Sequence, residues 1–148
     1  MPSGDLGLAP AYGRWLWLLT ALFVVRVTAQ PLALVIDRPF LPPFDAWHSG
    51  VVPYGVLVAT QVAIVAVMCL AAWRVSRRRV VPDRRFGLLV LGAGGVYFSS
   101  MLLRLILGST VLSGQPWFAR PLPTMFHLVL AGFMLIYGLF HIRHGSHP

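Results

Sequence analysis

The stretch Arg74-Val-Ser-Arg-Arg-Arg-Val-Val-Pro-Asp-Arg-Arg85 decides how the rest of the chain is read. It gathers six arginines and one aspartate into twelve residues of a chain that otherwise avoids charge. The runs on either side, 51–73 and 86–103, contain no charged side chain. Each is long enough to cross about 30 Å of hydrocarbon at about 1.5 Å per helical residue. A basic hairpin between two such spans is expected on the cytoplasmic side, because moving its charges across the bilayer is disfavoured. The apolar flanks favour this membrane loop over a nucleic-acid patch of the same composition.

Composition agrees. The 148 residues fit one domain, and 57% hydrophobic against 11% charged residues leaves too little charged surface for an ordinary soluble protein. All 12 cationic residues are arginine and the chain has no lysine and no glutamate, which reads as coding bias rather than chemistry. The net charge of +8 suits anionic headgroups. Cys69 is the single cysteine, so the chain makes no internal disulfide, Cys-x-x-Cys redox pair or cysteine zinc site.

Residues 1–13 read as a cytoplasmic lead-in, rich in Gly, Pro and Ala and without periodicity. An apolar run follows from Trp15 to Val25, Arg26 interrupts it, and Gln30-Pro31 is expected to end the helix. Arg14 in front and Val27-Thr28-Ala29 behind resemble a cleavable secretory leader, but Arg26 at the end of the run favours a retained span. The fold class expected is an all-α integral membrane protein, an up-down bundle of four spans at about 14–30, 51–73, 86–107 and 122–141. Loops 31–50 and 108–121 would lie outside and the basic loop 74–85 inside. Every proline is expected outside the span interiors. Gly92, Gly94 and Gly95 would let a neighbouring helix approach closely. With both termini cytoplasmic, Arg14, the six hairpin arginines and Arg143 lie inside and only Arg38 and Arg120 outside, as a bacterial inner-membrane protein requires.

Awkward residues gather at one depth. Arg26 and Arg104 each lie about one turn from the outer end of a span, His127 about one turn into the fourth, and Tyr54 and Gln61 in the outer part of the second. Their phases agree: Tyr54 and Gln61 share a face, as do Arg26 and Gln30, and Tyr97, Ser100 and Arg104 follow helical spacing. An arginine facing lipid costs about 3 kcal/mol, so such stripes are expected to turn inward onto a pocket, or else to snorkel outward to the headgroups. Four outer arginines (Arg26, Arg38, Arg104 and Arg120) against Asp37 and Asp45 leave two positive charges over. A pocket of this kind would hold an amphiphile, either a quinone or an anionic lipid, by forked guanidinium hydrogen bonds. His127 is the candidate for proton exchange. The loop residues Asp45, Trp47, His48, Trp117 and Arg120 would form its lid.

Other patterns fall short of a cofactor. His127 and His141 are fourteen apart, as in paired haem ligation, yet spans one to three hold no histidine to match them. His141, His144 and His147 make a weak metal pattern that reads better as a solvated tail. Gly92-Ala-Gly-Gly95 lies mid-span, so it reads as packing rather than a nucleotide loop. The expectation is therefore a membrane protein that binds, and in the stronger form transforms, an amphiphile among membrane lipids, with no nucleic-acid partner. The rival is a non-catalytic subunit packed into a homo-oligomer or a larger membrane complex. In a Cys69→Ser background, cysteine at Ser113 is expected to react with an impermeant thiol reagent on intact cells, and cysteine at Ser76 is not. The opposite labelling would reverse the orientation.

Overall fold

In hydrocarbon every backbone N–H and C=O must be bonded within the protein, and a helix achieves this inside one segment. The computed structural model describes residues 9–35, 53–111, 114–115 and 121–145, and these form four long helices with no strand among the described residues. They are α1 (Ala9–Val35), α2 (Tyr54–Ser76), α3 (Arg84–Ser109) and α4 (Pro121–His144). All four are long and apolar enough to cross a membrane.

The helices pack in the spatial order α2, α1, α4, α3, with α2 and α3 making no substantial contact. Each adjacent pair is antiparallel. Tyr12 meets Phe140 while Arg26 meets Phe126, Gly13 meets Ser76 while Gln30 meets Gln61, and Asp83 meets His141 while Tyr97 meets His127. One end of the bundle therefore collects Ala9, Ser76, Arg84 and His144, and with them every described arginine except Arg26 and Arg104. The core runs along α1, α2 and α4 through Leu16, Phe23, Met68, Val75, Phe133 and Phe140.

Two local devices build the basic turn. Asp83 caps α3, its Oδ1 accepting from the Arg85 N–H at 2.8 Å and the Phe86 N–H at 3.2 Å, a contribution of about 1 kcal/mol. At the end of α2, Arg79 N–H donates to Arg74 O and Arg78 N–H to Val75 O, closing the helix as a Schellman turn. That turn needs a left-handed residue, and Arg78 supplies it at φ 52°.

The tightest joint lies between α3 and α4. Gly87 and Gly94 are seven apart on α3, and Thr124, Ala131 and Gly138, all buried, are seven apart on α4. A Cβ on Gly138 would lie 2.8 Å from Leu91 N, and one on Gly87 would lie 2.8 Å from His141 Cβ. One on Gly94 would come within 3.0 Å of Met134 Cβ, whereas Gly92 and Gly95 face open space. Of the three mid-span glycines, then, only Gly94 serves this joint. The seven-residue spacing belongs to the shallow left-handed crossing of about 20° common in membrane bundles.

Three expectations need correction. The helix does not stop at Gln30-Pro31 but runs through Pro31 to Val35. Proline forfeits one backbone bond, but unwinding in an apolar setting would strand several, so continuing is the smaller loss. Residues 9–13 belong to α1 rather than to a lead-in: the Tyr12 ring packs edge-on against Phe140 and His144, and Gly13 sits against Ser76. The C-terminal end of α4 is not a solvated tail either, since the helix reaches His144 and His141 is buried. The expected lid between α1 and α2 lies outside the described residues.

Replacing Gly138 with Leu is expected to destabilise the protein by at least about 1–3 kcal/mol through overpacking, read as a lowered thermal midpoint in detergent. Leu at Gly92 is expected to leave the midpoint unchanged. Equal midpoints for the two variants would show that the α3–α4 joint is not the tight one.

Candidate functional site

Four long polar side chains of the spans, Arg26, Gln30, Gln61 and Arg104, are buried in the bundle. Arg26 and Gln30 are one turn apart on α1, and both are buried, at 6% and 0% exposure. Gln30 Oε1 accepts twice, from Arg26 Nη1 at 3.4 Å and from Gln61 Nε2 of α2 at 3.3 Å. The Arg26 guanidinium also lies over the Phe126 ring, 5.5 Å from its centre, so its charge faces an aromatic surface rather than lipid. The next residue of α4, His127, sets its Nδ1 2.6 Å from the Tyr97 hydroxyl of α3. Arg104, seven residues beyond Tyr97, is only 8% exposed. Both arginines lie within electrostatic reach of His127. Both arginines are thus covered by the bundle's own side chains rather than laid out on its exposed surface.

The Gln30 amide can be oriented from its neighbours. Two donors converge on one of its terminal atoms, so that atom is the oxygen, and a flipped amide would set N–H groups against both. Its Nε2 is then a buried donor with no hydrogen-bond partner among the described residues. Burying such a group unmatched costs about 1–3 kcal/mol.

The other candidates fall differently. Ser100 is exposed, and its hydroxyl donates to Val96 O of its own helix, so it stands apart from the layer. Tyr54 is half-buried at the start of α2, on the Gln61 side. Asp45, Trp47, His48, Trp117 and Arg120 lie outside the described residues.

A second polar cluster, at the basic end, was missed from sequence. His141 is 3% exposed, and its Nδ1 accepts from the Asp83 N–H at 3.1 Å. Its ring sits edge-on to Phe86 and Tyr137, with centres 5.0 and 4.8 Å away. Because Nδ1 accepts, the neutral ring carries its hydrogen on Nε2, which has no hydrogen-bond partner among the described residues. Gly87 makes the room for it, and the spacing of His141 three residues after Gly138 was the available signal. Among the described residues no group of three or more metal-ligating side chains assembles.

No family model, curated protein or solved structure matches the chain.

Tyr97→Phe removes the hydroxyl from the Tyr97–His127 pair without changing ring volume. It is expected to lower stability by about 0.6 kcal/mol, the mean for interhelical polar contacts in membranes, and by no more than about 1.7 kcal/mol, while Ser100→Ala changes nothing. Reversible unfolding in mixed micelles measures both. A neutral Tyr97→Phe would mean that the short contact does not hold α3 to α4.

Proposed function

We propose that this protein binds an amphiphilic small molecule whose polar head accepts hydrogen bonds in the layer formed by Arg26, Gln30, Gln61, Tyr97, Arg104 and His127. The observation that carries this reading is the Gln30 Nε2, a donor held wholly inside the bundle with nothing described to accept from it. A carbonyl, carboxylate or phosphate oxygen is the complement of that donor and of two guanidiniums. A quinone-like ligand would use the first, an anionic lipid the others. Arg26 and Arg104 hold the head, Gln61 and Tyr54 orient it, and His127, bonded to Tyr97, is the group that exchanges a proton if the ligand is transformed. The arginine-rich end faces the cytoplasm of a bacterial inner membrane on this reading, which puts the layer in the outer half of the bilayer.

A second reading, an accessory subunit of an oligomer or larger complex, is favoured by one specific feature. Gly92 and Gly95 face open space on α3 beside the exposed Ser99 and Ser100, a surface that another helix could approach closely.

The discriminating measurement is lipid and quinone co-purified per folded protein. Gln30→Leu and Arg104→Gln are each expected to reduce retention roughly ten- to a hundredfold, the equivalent of about 1.5–3 kcal/mol for a charged or buried hydrogen bond. Arg104→Lys is expected to restore it only in part, because it lacks the planar fork. Equal retention in all of them at equal stability would remove the head site and leave the subunit reading in front.

A further inference from the structure

We infer that the polar layer is the head end of a longer track, and that the cleft between α2 and α4 holds a single long hydrocarbon chain, acyl or prenyl, of the same ligand. This rests on the head-site reading above. The cleft has a volume of about 360 Å³ and is walled by apolar atoms, among them Ile64 and Met68 of α2, Val90 of α3, and Leu130 and Met134 of α4.

Its walls continue the faces that carry the polar groups. On α4, His127 leads to Leu130, Met134 and Tyr137 at spacings of three, four and three, one stripe that carries the imidazole at one end and lines the cleft with apolar atoms along the rest. On α3, Arg104, Tyr97 and Val90 are seven apart, with the cleft wall at Val90. On α2, Gln61 follows the cleft residue Thr60 directly and turns to Gln30. The layer's polar side chains thus stand at one end of these helix faces, and beyond them only apolar atoms face the cleft, the arrangement that suits an amphiphile lying along the bundle axis.

Length and access agree. From Thr60 to Ala71 the cleft spans about 16 Å of helical rise, roughly half the hydrocarbon thickness. Because α2 and α3 do not pack on each other, the cleft opens sideways towards lipid, and a chain can slide in from the bilayer without crossing water. A cleft lined only by apolar atoms gains dispersion contacts from a chain and offers a polar partner nothing.

The test uses the full-length protein in lipid nanodiscs with hexadecanoic acid carrying a mid-chain diazirine, irradiated and mapped by mass spectrometry. Adducts are expected on the segments 60–71 and 130–137, displaced by unlabelled hexadecanoic acid. Filling the cleft with Ala63→Phe and Ala71→Phe is expected to cut labelling about tenfold at unchanged thermal midpoint. If the filled variant does not fold, the wild-type map alone decides. Adducts spread evenly over lipid-facing positions such as Leu89 and Val96, or undiminished in a folded filled variant, would overturn the inference even where head-dependent retention survives. Cleft adducts that fall with Gln30→Leu support the whole track. Cleft adducts indifferent to Gln30→Leu, and formed equally from the corresponding diazirine alcohol, would discard the head site and overturn the track as stated, leaving a bare hydrocarbon cleft.

Discussion

The contact of two helix backbones along Gly87, Gly94, Ala131 and Gly138 sets the geometry on which the remaining features depend. Lipid tails are as apolar as leucine, so burying more leucine would not have joined α3 to α4, whereas close packing between small residues does. Once α4 is fixed against α3, the Tyr97 hydroxyl falls within reach of His127 and Asp83 falls against His141. The polar groups at both ends are consequences of that register. A shift by one residue would turn these partners off the shared face.

The interior polar groups show an unequal division of labour. Gln30 supplies one oxygen to two donors, so it works as the hub between α1 and α2. The same arrangement leaves its own amide nitrogen buried without an acceptor among the described residues. At the opposite end His141 works the other way round: it is an acceptor for the one described carboxylate residue's backbone, and it thereby fixes the start of α3. One histidine of α4 is part of a candidate binding layer and the other is a structural clasp, although sequence alone presented them as a spaced pair.

Much of the fold was legible because hydrophobic length and arginine placement are one-dimensional signals. The four helices follow from spacing and length, and the burial of Arg26, Gln30, Gln61 and Arg104 is one of the two outcomes that the cost of facing lipid allowed. What escaped depended on three-dimensional context. Pro31 reads as a stop by local propensity, and the apolar surroundings override it. Three glycines in the middle of α3 look equivalent in the sequence, yet only Gly94 meets α4, because phase relative to a partner is not written in a single helix. Ser100 has helical spacing with Tyr97 and Arg104, but it satisfies itself on Val96 O and points away.

The row-like order α2, α1, α4, α3 also bears on how the chain is assembled as it is made. The first two spans leave the ribosome able to pair through the Gly13–Ser76 approach, the hydrogen bond between two glutamines and the core side chains Leu16, Phe23, Met68 and Val75. The compact glycine joint belongs to the second hairpin, and α1 finds its other neighbour only in α4, the last span synthesised. Until α4 enters, the flank of α1 that carries Arg26 lacks Phe126 and must be shielded by lipid, water or the insertion machinery. The final span therefore completes two interfaces at once, the glycine joint with α3 and the flank of α1 that carries Arg26.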